Sequence, residues 1–145
     1  MKRILTLIVI SLLFASCSLF RNTQKEKAEM DTQSVFGVEW KLKKIGNKLM
    51  KYEEESEIIT LLMTSEPENV SGFSACNRYF GKFTLKKGVL TFKDMASTAM
   101  MCPEQTMELE RRYLMQLDKV NNFVITEEGE LHLRKDEKVL LIFAQ

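Results

Sequence analysis

Between Val38 and Phe143 the apolar residues of this chain fall in short runs spaced by two, the repeat of an extended backbone that buries one of its faces. Val38, Trp40 and Leu42 alternate with polar neighbours, as do the residues of Tyr79 to Leu85 and of Val89 to Phe92. Ile58 to Met63 is apolar apart from Thr60, which predicts a strand covered on both faces. Lys86-Lys87-Gly88 reads as a hairpin turn, and Asn122 to Thr126, Glu130 to Arg134 and Lys138 to Phe143 predict three more strands, linked at Glu127-Glu128-Gly129 and Lys135-Asp136-Glu137. About seven to nine short strands result. Most should pair antiparallel, in a barrel-like or strongly curved sheet.

One segment breaks this rhythm. Pro103 suits a first helical position, Glu104 and Glu108 favour the positive end of a helix, and Met107, Glu110, Leu114 and Leu117 recur at three- and four-residue steps. A single α-helix is therefore expected near 103–119, which makes the fold class α+β. Glu110 is the odd member of the stripe, because a carboxylate facing a core must find a partner or a proton. Either it lies at the stripe edge and reaches water, or it is partly buried and accepts hydrogen bonds from the segment around Asn77 and Arg78.

The opening residues read as an address. Lys2 and Arg3 precede an apolar run from Ile4 to Phe14, and Ala15-Ser16-Cys17 closes it. A basic start, a short apolar middle and small residues before a cut make a secretory signal, and a run of about eleven residues is too short to span a bilayer. The Ala15-Ser16-Cys17 ending resembles the lipobox of bacterial lipoproteins, which implies removal of residues 1–16 and lipidation of Cys17 as the new N-terminus. Residues 17–34 then form a polar, lipidated tether, since they carry too few apolar groups to offset chain entropy. A single domain is expected over 35–145. The implied location is the bacterial cell envelope with the domain outside the cytoplasm. Ser18, where retention in the inner membrane commonly calls for Asp, favours the outer membrane.

Charge and motifs exclude several classes. The chain carries 21 basic and 20 acidic residues, and losing Lys2 and Arg3 would leave the mature chain at about −1. Its Lys and Arg are interleaved with Glu, whereas nucleic-acid binding calls for a basic surplus on one face. A thiol nucleophile needs a base. The chain's single His is His132, placed between two leucines that alternation buries, so that the imidazole should face solvent. No phosphate loop, metal-binding helix or serine elbow is present. An enzyme, a cofactor or a metal site is not expected.

Cys76 and Cys102 would meet an oxidising compartment after export, where two thiols of one small domain are more often bridged than free. A bridge would close a loop of about 26 residues and contribute roughly 3.5 kcal/mol by chain entropy. The alternative is a pair of buried free thiols. Met95, Met100, Met101 and Met107 surround Cys102, and soft sulfur ligands favour Cu(I), although Met also fills irregular cores.

These cysteines lie in two motifs. Gly72-x-x-x-Cys76-Asn77-Arg78-Tyr79-x-Gly81 precedes Thr98-x-Met100-x-Cys102, and the pair resembles the signature of the META domain of HslJ-like bacterial proteins. Trp40, the Glu110-x-x-Tyr113-Leu114-x-x-Leu117 helix and the last two strands fit the same pattern, over roughly Phe36 to Phe143. Ala99 stands where the family commonly has a basic residue. The resemblance implies a compact antiparallel β-structure with one helix and structural roles for Gly72, Asn77, Arg78, Gly81, Thr98 and Glu110. The function expected is that of a monomeric, non-enzymatic lipoprotein, a binding or stress-protective module for an unknown envelope partner or ligand. Its alternatives are copper handling and thiol redox at Cys76 and Cys102.

Overall fold

The computed structural model describes residues 35–54 and 58–145. The signal, Cys17 and tether readings lie outside them. Nine strands appear among the described residues: β1 (Glu39–Ile45), β2 (Lys48–Leu49), β3 (Thr60–Ser65), β4 (Glu68–Phe73), β5 (Arg78–Lys86), β6 (Val89–Ser97), β7 (Asn122–Ile125), β8 (Leu131–Lys135) and β9 (Lys138–Ala144). The helix α1 (Glu104–Leu117) lies between β6 and β7. All pairings are antiparallel in the order β6-β5-β4-β3-β1-β9-β8-β7, with β2 added to β1. The fold is α+β, as the alternation requires.

The sheet is curved rather than closed. Register shifts interrupt β1–β9 at Leu42/Lys44, β5–β6 at Phe80/Lys82 and β8–β9 at Leu133/Arg134, and such bulges bend a sheet. The bending brings its two ends together. The Leu90 N–H donates to the Asn121 carbonyl at 2.9 Å, which links β6 to the residue before β7 without a ladder between them.

Alternation decides which side chains fill the interior. Trp40, Leu42, Leu61, Met63, Tyr79, Phe83, Leu90, Leu131, Leu133, Leu141 and Phe143 are buried. The Trp40 Nε1 donates to the Val35 carbonyl at 3.1 Å, so the buried Val35 is held at the start of the described chain. Two-residue turns set the hairpins: Lys87 and Gly88 at φ 52° and 79° join β5 to β6, the left-handed geometry that hairpin twist favours.

Three expectations are corrected. Ile58 to Met63 is not covered on both faces: Ile59, Leu61 and Met63 are buried, while Ile58, Thr60 and Leu62 are half-buried. Pro103 caps the helix from outside at φ −53° and ψ 146° instead of opening it. Met107 is exposed, and the face of α1 that reaches the core is Tyr113 and Leu117, with Leu109 and Leu114 packed beside them.

Candidate functional site

The link between β4 and β5 is Ser74-Ala75-Cys76-Asn77, a reversal in which Ala75 takes φ 94°. A non-glycine residue there is strained and persists only where its surroundings hold it. What holds it is visible: the Ser74 N–H and hydroxyl both donate to the Asn77 carbonyl, at 2.8 and 2.7 Å. Cys76 is bonded to Cys102, with the Cα atoms 6.0 Å apart across 26 residues. The bridge fastens this loop to the segment that leads into α1.

Glu110 reaches the same loop from the second turn of the helix. Its Oε2 accepts from the Ser74 hydroxyl at 2.6 Å and the Asn77 N–H at 2.8 Å, and its Oε1 accepts from the Asn77 Nδ2 at 2.9 Å. Partial burial pushes its pKa upward, but the bonds from Ser74 and Asn77 outweigh that effect and hold the carboxyl below its ordinary value. Arg78 takes no part. The single Ser74 proton stands between two acceptors, so the carboxylate's strongest fixed donors are the two nitrogens of Asn77.

Asn77 is buried and is bonded on every side. Its Oδ1 accepts from the Thr98 hydroxyl at 2.9 Å and the Met100 N–H at 2.8 Å. Thr98 also accepts from the Arg78 N–H at 3.2 Å. One amide side chain thus joins α1, the loop and the strand leaving β6, which is an arrangement that specifies geometry because each buried polar group is satisfied.

The glycines answer to close approach. A Cβ on Gly72 would overlap the Thr60 carbonyl oxygen and lie 2.7 Å from the Tyr79 hydroxyl. That hydroxyl donates to the Thr60 carbonyl at 2.8 Å, so the 2.7 Å contact between the Tyr79 and Tyr113 hydroxyls must use the Tyr113 proton. Burial pushes the pKa of both phenols well up, and the pair remains neutral. A Cβ on Gly81 would meet Met95 Sδ at 2.6 Å and the Lys93 carbonyl at 2.9 Å, where β6 bulges through Asp94 at φ 50°.

Sequence reasoning missed Ser74 and the two tyrosine hydroxyls. Ser74 belongs to a Ser-x-x-Asn turn, whose side-chain bonding was the available signal. His132 is half-buried on β8 with its Nε2 3.2 Å from Glu130 Oε2, while Lys43 Nζ lies 2.6 Å from Glu130 Oε1. Neither cysteine belongs to that cluster. Among the described residues no three His, Cys, Asp or Glu side chains converge as a metal site.

The META domain model matches residues 33–145. The chain belongs to the META domain family. An NMR structure of a protein from Burkholderia xenovorans is similar to it at 27% identity and a TM-score of 0.64, covering 78% of this chain and 84% of that one. A second protein solved by NMR matches at 25% identity and a TM-score of 0.60, covering 77% and 92%. No protein of curated function matches. Within the META signature of this chain, Gly72, Cys76, Asn77, Gly81, Thr98 and Cys102 are consumed by the fold, together with Glu110. Arg78 and Met100 are the exceptions. Both side chains are exposed, and the Arg78 guanidinium makes no hydrogen bond or ion pair with another described residue.

Strand register places Arg78 on the outer face of the sheet. Lys41, Thr60, Phe73 and Arg78 form one row across β1, β3, β4 and β5, and Glu39, Leu62, Ser71, Phe80 and Ala96 form the next. Phe80 is 55% exposed, and Met100 beside this face is 56% exposed. A groove of about 580 Å³ runs here between Arg78 and Glu39, walled by Ile58, Phe73, Thr98 and Met100. The arrangement holds no poised nucleophile, since the two sulfurs are bonded to each other and the Glu110 oxygens accept three hydrogen bonds.

Proposed function

We propose that this META protein is a non-enzymatic, lipid-anchored component of the cell envelope that binds a partner through the outer face of β1, β3, β4 and β5. The carrying observation is the division of labour in the signature. Apart from Met100, which walls the same groove, every other signature side chain named above is turned inward or spent on the loop, while Arg78 lines a groove with apolar walls and has no side-chain partner among the described residues. An exposed guanidinium beside exposed Phe80 and Met100 combines charge with apolar contact area, the chemistry that dominates binding surfaces. Lipidation at Cys17 and residence in the outer membrane belong to the same proposal and follow from the leader pattern. A stress-protective role would act through this same contact.

In-cell photo-cross-linking tests it. A photoreactive residue at position 80 should give one discrete adduct, abolished by Arg78→Ala, while the same residue at Leu49, equally exposed at 55% on β2, should give none. Indiscriminate labelling from both positions would remove the outer face as a recognition surface.

A further inference from the structure

The groove is charged at both ends and apolar between them, which restricts what it can hold. Arg78 offers a planar fork of donors suited to a carboxylate, and its backbone is fixed on both sides, because its N–H donates to the Thr98 hydroxyl at 3.2 Å and its carbonyl accepts the Thr98 N–H at 3.0 Å. Glu39 lines the far end. It would attract an ammonium, with part of its field offset by Lys41, which is exposed in Arg78's row on the same strand as Glu39. Thr98 adds no free donor, since its hydroxyl donates to Asn77 Oδ1 at 2.9 Å, whereas Thr60 Oγ1 accepts the Phe73 N–H at 3.1 Å and keeps its own proton for a ligand. Ile58, Phe73 and Met100 supply the apolar wall.

The register supplies a length. Arg78 on β5 and Glu39 on β1 are three strand spacings and one row apart, or roughly 15 Å at about 4.8 Å per strand. An extended peptide rises about 3.3 Å per residue, so about four residues cover that distance.

Resting on the binding reading above, we infer that the groove takes a short zwitterionic peptide of about four residues, with its terminal carboxylate on Arg78, its ammonium at Glu39 and apolar side chains against Phe73, Ile58 and Met100. The peptide crosses the strands rather than adding to the sheet, because β3, β4 and β5 are all paired on both edges.

The probe is the tetrapeptide Ala-Leu-Phe-Ala, added to isotope-labelled full-length protein while backbone amide shifts are followed by NMR. Saturating shifts confined to Glu39, Ile58, Phe73, Arg78, Thr98 and Met100 are expected. Capping the carboxylate as an amide should weaken binding by roughly tenfold or more, and Arg78→Gln should do the same to the free acid, while Arg78→Lys should fall between because it keeps charge but loses the fork. Acetylating the amine should weaken wild type and leave Glu39→Gln unaffected. Melting temperatures should not move with the Arg78 variants, as that side chain has no partner among the described residues to lose. The inference is overturned if no groove residue shifts up to about 10 mM peptide, if acid and amide bind alike, or if phosphatidylglycerol vesicles shift these residues and the peptide does not. A discrete cross-link at position 80 with no peptide binding would leave the recognition face standing and remove only this ligand class.

Discussion

Glu110 is where one side chain most affects the whole loop. Removing its carboxylate leaves the Asn77 N–H and Nδ2 without acceptors in a part-buried site, and a charge-assisted bond contributes roughly 1.5 to 3 kcal/mol. Glu110→Ala should therefore lower the unfolding free energy by about that amount, Glu110→Gln by less, and Glu108→Ala by little, since Glu108 is an exposed partner of Arg111 at 2.7 Å. The pH dependence has a definite sign. Hydrogen bonding depresses the folded-state pKa below the ordinary 4.5, so the stabilisation is complete above about pH 4.5 and is lost as pH falls from there through the folded value. Chemical denaturation of wild type and Glu110→Gln between pH 7 and pH 3 checks this, because the gap between them should close on acidification. A gap that widened would mean the carboxyl is bound in its protonated form. The sequence exposed this residue through conflict, as a charge in an apolar stripe, and pointed to the Asn77 amide and backbone N–H as donors; Ser74 was not foreseen, and Arg78, the obvious cation, takes no part because neutral Ser74 and Asn77 are the groups buried beside the carboxylate.

At the level of elements, the disulfide and Asn77 hold the segment before α1 at two points, one covalent and one polar. The first turn of the helix gains little from packing, since Glu104, Gln105 and Met107 are exposed and Thr106 is only half-buried. Its position depends on Cys102 behind it and Glu110 ahead. Cys76→Ala and Cys102→Ala should each cost roughly 3.5 kcal/mol by chain entropy, and the double variant should cost little more than either, because the first change already opens the loop. Thermal melts with and without reductant would decide it, and strictly additive losses would mean that the two sulfurs act separately. Strands with alternating apolar residues were legible, and β4 was not. Its sequence Glu68-Asn69-Val70-Ser71-Gly72-Phe73 offers Val70 alone to the core, while Gly72 packs through its backbone against Thr60. The outer half of β6 was hidden for a related reason, as the bulge at Asp94 breaks the alternation from Lys93 to Ser97.

At the scale of the folded domain, the curved sheet commits its inner face to the core, and its outer face is the one proposed above to meet a partner. Tethering such a domain to a membrane raises its local concentration against anything else held there, so a contact that is weak in solution becomes occupied. The proposed anchor at Cys17 supplies the tether. Each buried methylene of an acyl chain contributes about 0.8 kcal/mol, a single chain binds reversibly, and two or more give stable attachment. Wild-type protein should therefore sediment with membranes through a high-salt wash and leave them only in detergent, since hydrophobic attachment is not screened by salt. Cys17→Ser should either stay uncleaved with its leader or pass into the soluble fraction. Fractionation followed by intact mass measurement distinguishes these fates, and the wild-type mass should exceed that of residues 17–145 by the acyl groups it carries. If wild type and Cys17→Ser both partition into the soluble fraction with unmodified masses, the lipid anchor is wrong, and the domain must find its partner without the membrane.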